Sequence, residues 1–239
     1  QLAKSYGIGC TVDAEEADRL ELSLDIIDAV FSDASLAGWD GFGVVVQAYQ
    51  KRTPYTIDFL ADMARRNGRR LQVRLVKGAY WDAEIKRAQI EGYPGYPVFT
   101  RKQNTDVSYL ACAKRLFGHA DAIYPMFATH NAHTIAAIRT IAKGGQYEHQ
   151  KLHGMGDDLY AEVVPADRLG LPCRVYAPVG SHEDLLPYLV RRLLENGANS
   201  SFVNRITDER VPITELVRDP VEMVASFASI PHPKIPLPV

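Results

Sequence analysis

Arg74 and Lys77 stand where charge should be rare. They fall within the run Leu71-Gln-Val-Arg-Leu-Val-Lys77, whose apolar and β-branched residues read as a strand. A cation in such a strand must find a partner, because leaving it unpaired away from water is costly. The run then meets Gly78-Ala79, small enough for close backbone approach, followed by Tyr80-Trp81-Asp82. Cations on a buried strand that opens into an aromatic loop suit an anionic or electron-rich ligand. The competing reading is a strand with two structural ion pairs. Lys77 could also act as the Schiff-base amine of a lysine-dependent aldolase.

A second concentration is Arg191-Arg192 with Glu195, in a stretch of helical spacing. Adjacent helical residues project about 100° apart, so both arginines reach one ligand only if it lies beside the helix. Planar guanidinium forks suit a carboxylate, and Glu195 lies about one turn on. A surface ion-pair ladder is the alternative. His130-x-x-His133 offers two ligands and no assured third, so no metal is expected.

The elements that must position these groups repeat. Strands are predicted over 8–13, 41–47, 71–77, 122–129, 147–152 and 172–176, with a helical stretch after each. Pro125 is awkward inside a strand and predicts a local bulge. Ser181 with Asp184 three residues on predicts a capped helix from 182 that runs past Pro187 and stops at Gly197. A polar connection over 199–207, an amphipathic helix over 214–229 and an extended proline-rich segment follow. No two successive strands are close enough for a hairpin, so the pairing must be parallel through crossover helices. The expected fold is an α/β barrel in one domain, 1–239.

In such a barrel the strand C-termini face one mouth, where barrel enzymes carry out their chemistry. The polar and aromatic residues of this chain collect there: Asp13, Gln47, Lys77 with Tyr80 and Trp81, His130 with Asn131, Gln150 to His153, and Tyr176. Asp13 also suits a helix cap, and the histidines could be plain loop residues. The 239 residues carry a net charge of −2, which gives no basic footprint for nucleic acid. Cys10, Cys112 and Cys173 are widely spaced, with no C-x-x-C pair, as expected in a reducing compartment. No apolar run approaches the roughly 20 residues of a membrane span, and no signal-peptide layout is present. A cytoplasmic location is expected, with room for peripheral attachment to the inner face of the membrane.

Five stretches carry a resemblance to a known family. They are Arg74-Leu-Val-Lys-Gly-Ala-Tyr-Trp-Asp82, Phe127-Ala-Thr-His-Asn-Ala-His133, Leu152-His-Gly-Met-Gly156, Arg174-Val-Tyr-Ala-Pro-Val-Gly180 and Tyr188-Leu-Val-Arg-Arg-Leu-Leu-Glu-Asn-Gly-Ala-Asn199. Together they closely resemble the proline dehydrogenase domain of the bacterial bifunctional proline utilization proteins. The resemblance implies a (βα)8 TIM barrel that holds FAD non-covalently. It implies oxidation of L-proline to Δ1-pyrroline-5-carboxylate, with hydride passing to flavin N5 and electrons then to a quinone. A fused or cooperating aldehyde dehydrogenase domain is implied as a partner.

It also implies residue roles. Arg191 and Arg192 would clamp the proline carboxylate, and Asp13, Ala79, Tyr80, Leu152 and Tyr176 would shape the substrate pocket. Arg74, Asp13, Tyr176 and the two arginines would be the catalytic set. Gln47, Arg74, Val76, Lys77, Gly78, Ala79, Trp81, Thr129, His130, Asn131, Gln150, Leu152, Arg192, Glu195, Ser201 and Phe202 would hold the flavin. Arg74 would neighbour N5, and Trp81 would wall the isoalloxazine. The family barrel has eight strands, whereas this chain reads as the last six βα units plus a C-terminal helix and an extended tail. The first two units, which in the family bring a lysine to the substrate carboxylate and an acid that pairs with one arginine, are expected to lie outside it. An inactive barrel fragment is therefore the remaining alternative.

Overall fold

A computed structural model describes residues 1–178, 180–197 and 211–239, with the side chains of 184 and 193–197 outside the description. Its frame is one sheet of six strands in chain order, every pair parallel: β1 (Cys10–Val12), β2 (Phe42–Gln47), β3 (Leu71–Val76), β4 (Ile123–Ala128), β5 (Glu148–Leu152) and β6 (Cys173–Tyr176). A short α1 (Leu2–Ser5) precedes the sheet. The crossovers are α2 (Leu20–Phe31), α3 (Thr53–Arg66), the pair α4 (Trp81–Glu91) and α5 (Lys102–Gly118), α6 (Ala132–Ala142) and α7 (Asp157–Val163), and α8 (His182–Gly197) follows β6.

Alternation along the strands decides what faces the helices. Val44 and Val46 of β2, Leu71, Val73 and Leu75 of β3, and Ile123 and Phe127 of β4 point outward. There they pack with Phe31, Ile57, Leu60, Tyr109 and Leu116 in the main core. The other parity points inward and is polar at several levels: Gln47, Arg74, Glu148, Gln150 and Tyr176 alternate with outward residues. Arg74 is therefore no intruder in the apolar run; it belongs to the opposite face.

The sheet curls. A Cβ built on Gly9, just before β1, would lie 3.3 Å from Arg174 Nη1 on β6. The outer strands thus approach each other across the interior, while among the described residues β1 ladders only with β2 and β6 only with β5.

Two expectations are corrected. Pro125 makes no bulge: the β3–β4 register runs unbroken through Val73↔Pro125. Leu71 N donates to Ala122 O, so even-numbered backbone groups of β4 face β3 and odd-numbered ones face β5. Pro125 therefore lacks its N–H on the side of β5, whose ladder starts only at Met126↔Glu148. The single helix expected over 214–229 is two, α9 (Ile213–Leu216) and α10 (Pro220–Ala225). Pro220 cannot continue a helix but suits the first turn of a new one, and Asp219 caps it by accepting from Val221 N at 2.8 Å. The connection expected over 199–207 falls outside the described residues.

The segment after α10 is extended and crosses the region between α4 and α5. Tyr96 Oη donates to Pro236 O at 2.7 Å, Asn104 Nδ2 donates to Ile230 O at 2.9 Å, and His232 N donates to Thr100 Oγ1 at 2.9 Å. Ile235 packs on the cluster of Tyr49, Ile85, Tyr96 and Val98. Among the described residues no helix is long and apolar enough to cross a membrane.

Candidate active site

Arg74 lies at the centre of the interior. Its Nη2 donates to Asp13 Oδ1 at 2.8 Å, its Nη1 reaches Gln150 Oε1 at 3.5 Å, and its guanidinium stands 4.4 Å over the Tyr176 ring. The strand thus carries an arginine held by an acid, an amide and an aromatic face, each from a different strand or its end. Burial, as the largest influence, pushes the Tyr176 hydroxyl up to about 12, with Arg74 and Arg192 pulling the other way. Asp13 is exposed just past β1 and caps no helix; the chain turns through Ala17–Arg19 before α2 begins.

Past β3 the backbone is forced close to an aromatic ring. Gly78 has φ +131°, and a Cβ there would lie 2.5 Å from Tyr49 ring atoms. Only glycine takes this position without strain. Lys77 pairs with Asp106 of α5, and Ala79 is half-buried in the same turn. Trp81 begins α4, donates Nε1–H to Phe99 O at 2.8 Å and packs against the Tyr49–Tyr96 cluster. Tyr80 donates to the Glu15 carboxylate, and burial and that acid raise the pKa of its hydroxyl.

Arg191, from α8, joins this group. Its Nη2 donates to Tyr80 Oη at 3.4 Å, and its guanidinium lies 4.9 Å from the Tyr80 ring centre. Arg192 turns instead to the Tyr188 ring, at 5.3 Å, and lies close enough to depress the His130 pKa, after burial and Lys151. The two arginines diverge as their adjacent positions require, yet both border the same mouth.

The loop after β4 supplies the opposite wall. Asn131 Oδ1 caps α6 by accepting from Thr134 N at 3.3 Å, and Asn131 N donates to Thr129 Oγ1 at 3.1 Å. His130 is pressed against Gly156, where a Cβ would meet its ring at 2.8 Å. Gln150 and Leu152 are buried on β5, and Val76 is half-buried at the end of β3. Gln47, also buried, donates Nε2–H to Glu15 O at 2.7 Å. The side chain of Glu195, and Ser201 and Phe202 altogether, lie outside the described residues. Among the described residues no three His, Cys, Asp or Glu side chains gather as a metal site.

Several participants were not singled out from sequence. Glu15 bridges toward Tyr80, Asp106 pairs with Lys77, and Glu148 with Arg174 extends the Arg74 network. Only the strand parity of Glu148 and Arg174 signalled them; Glu15 and Asp106 carried no periodic signal.

The arrangement has unpartnered polar atoms. Among the described residues Arg74 Nε, Arg191 Nε and His130 Nε2 are buried with no hydrogen-bond partner. Buried polar atoms are rarely left so, and three around one mouth fit a bound polar group, with acceptors for the two Nε–H donors. The surrounding cations favour negative charge and could stabilise a group on which charge accumulates.

A parallel α/β sheet curled into part of a barrel, with cations and aromatics at its strand C-termini, is the architecture in which barrel enzymes carry their sites. The profile of the proline dehydrogenase family matches residues 1–205. The chain therefore belongs to the proline dehydrogenase family, which is a family of oxidoreductases and implies a redox cofactor. It is 62% identical, over 99% of its length, to the Bifunctional protein PutA of Salmonella typhimurium, of which it covers 19%. It is 60% identical to the Escherichia coli protein of that name, with the same coverage. The fold is similar to that of a crystallised Bradyrhizobium japonicum Proline Utilization A (PutA) mutant, with TM-score 0.94 and 56% identity over 99% of this chain and 24% of that one. The chain thus spans about a fifth of the length of the curated relatives it matches.

Proposed function

We propose that this chain forms the greater part of an FAD-dependent site that oxidises L-proline to Δ1-pyrroline-5-carboxylate. The convergence of buried Arg74, with its free Nε, and the Arg191–Tyr80 pair at one mouth carries this reading. An FAD bound there would supply the hydride acceptor. Arg74 would place positive charge beside the electron-accepting ring and favour its reduced, more negative state. Val76, Lys77, Gly78, Ala79, Trp81 and Gln47 would hold it on one side, and Thr129, His130, Asn131, Gln150 and Leu152 on the other.

Arg191 and Arg192 would receive the substrate carboxylate, with Ala79, Tyr80, Asp13, Leu152 and Tyr176 closing a compact, partly apolar wall. Tyr176, with its hydroxyl at about 12, stays protonated at neutral pH and serves as wall and donor, not as a base. Lys77 is engaged by Asp106 of α5 in an ion pair, so its amine is held by a carboxylate instead of standing unpaired as the nucleophile an aldolase requires. Electrons would leave to a quinone, and an aldehyde dehydrogenase region would take the product onward; the word "Bifunctional" in the relatives' names supports that pairing.

The test is an absorption spectrum of the protein, followed by anaerobic addition of L-proline. A flavin spectrum bleached by proline is expected. Arg191→Met should raise KM for proline about tenfold or more, the loss of a charge-assisted contact of roughly 1.5–3 kcal/mol. A colourless protein, or an unchanged KM, would overturn the respective assignments.

A further inference from the structure

We propose that Glu148 is a positioning residue of this site: it fixes which end of the Gln150 amide meets Arg74, and so holds the guanidinium in place without neutralising it. The inference rests on the FAD reading above. Glu148 opens β5, faces the interior and is 6% exposed. A carboxylate that deep needs partners, and among the described residues it has three. Arg174 grips it with two contacts, Nε to Oε1 and Nη2 to Oε2, each at 2.9 Å. Tyr124 Oη approaches Oε2 at 3.4 Å, and Gln150 Nε2 donates to Oε1 at 2.7 Å.

The same Gln150 nitrogen lies 2.9 Å from Met126 Sδ, a weak acceptor, so the carboxylate is the strongest group drawing that end of the amide. An ionised carboxylate only accepts, so it selects the amide nitrogen of Gln150. That leaves Gln150 Oε1 at the other end, 3.5 Å from Arg74 Nη1. Turning the amide over would set oxygen against carboxylate and NH2 against guanidinium, losing both bonds at once. The line Arg174, Glu148, Gln150, Arg74, Asp13 therefore reads cation, anion, neutral amide, cation, anion.

The neutral amide in the middle matters. Were Glu148 to touch Arg74 directly, the buried carboxylate would offset the charge offered to a ligand. Instead Arg174 compensates Glu148, while the amide passes on orientation alone. Asp13, the one charged partner of Arg74 among the described residues, has a half-exposed side chain, so water weakens its effect.

The experiment measures the reduction potential of the bound flavin by spectroelectrochemistry in the parent, Glu148→Gln, Gln150→Leu and the double variant. Glu148→Gln keeps size and shape but removes the strongest acceptor that holds the Gln150 amide, leaving only Met126 Sδ on its nitrogen. It should weaken the preference for reduced over oxidised flavin about tenfold, which is about 30 mV for a two-electron couple. Gln150→Leu should give a shift of the same sign, and the double variant no more than the larger single one. Additive shifts, or a parent potential in folded, flavin-loaded Glu148→Gln, would overturn the proposal. Should Glu148→Gln not fold, an unshifted Gln150→Leu would overturn it equally. A parent without flavin absorbance would sink the FAD reading itself and this inference with it, an outcome distinct from a flavin-loaded parent whose variants do not respond.

Discussion

Arg74 Nη2 lies 2.8 Å from Asp13 Oδ1, in an ion pair whose cation is 8% exposed and whose anion is 51% exposed. The asymmetry means that the arginine is fixed by its surroundings, whereas the aspartate is trimmed by solvent. The two should act on a bound flavin with opposite sign. Arg74→Met removes a positive charge from the ring's neighbourhood and should lower the potential by tens of millivolts. Asp13→Asn uncovers that charge and should raise it by less, because exposed pairs are screened. Spectroelectrochemistry of the two variants checks this; shifts of the same sign would refute the account.

Gly78→Ala should be severely destabilising. The new methyl would meet the buried Tyr49 ring at 2.5 Å, and φ +131° is itself unfavourable for alanine. Strain of about 1–3 kcal/mol plus a steric clash is expected in urea denaturation. Adding Tyr49→Leu should relieve the clash but leave the backbone strain, so recovery should be partial.

Stability should fall on mild acidification. His149 is fully buried on β5 between the rings of Tyr147 and Tyr160, and burial depresses it from 6.5 to about 4. The folded state holds the neutral imidazole and the unfolded state binds the proton more readily. The contribution is thus intact above about pH 6.5 and is lost as pH falls toward 4, at about 1.4 kcal/mol per unit. Denaturant midpoints for the parent and His149→Gln should converge in slope above pH 6.5 and separate below it, the variant showing the flatter profile. His130, also depressed by burial, should leave a residual slope.

Tyr96→Phe should loosen the segment after α10. It deletes the hydroxyl that donates to Pro236 O, at a cost of about 0.5–1.5 kcal/mol. Amide exchange should accelerate over 230–239 while the β2–β4 amides stay protected; uniform acceleration would mean that the contact supports the whole fold instead.

The six strands were legible because their runs alternate with helical spacing, and because no pair is close enough for a hairpin. Arg74 was legible as an anomaly, and parity explains it: Leu71, Val73 and Leu75 face helices while Arg74 faces the interior. The unusual polarity of β5 has the same origin, with Glu148 and Gln150 inward and His149 wedged between tyrosines. The pairings themselves were not legible. Arg74 with Gln150, or Tyr80 with Glu15, are 76 and 65 residues apart, and no local spacing encodes them. The split between α9 and α10 was readable from Asp219-Pro220, but the apolar periodicity on either side masked it.

The extended segment that crosses α4 and α5 sets an order on the making of the protein. Thr100 and His232 are bonded partners 132 residues apart. At about 5–20 residues per second, a ribosome adds the second about 7–26 s after the first. During that interval Tyr96, Thr100 and Asn104 are already synthesised, and their later backbone partners do not yet exist. The aromatic floor around Tyr49 and Trp81 is then open on one side in every nascent chain. A site that depends on this region matures only after elongation has passed residue 236, so ligand capture there waits on residues translated long after the strands that line the mouth.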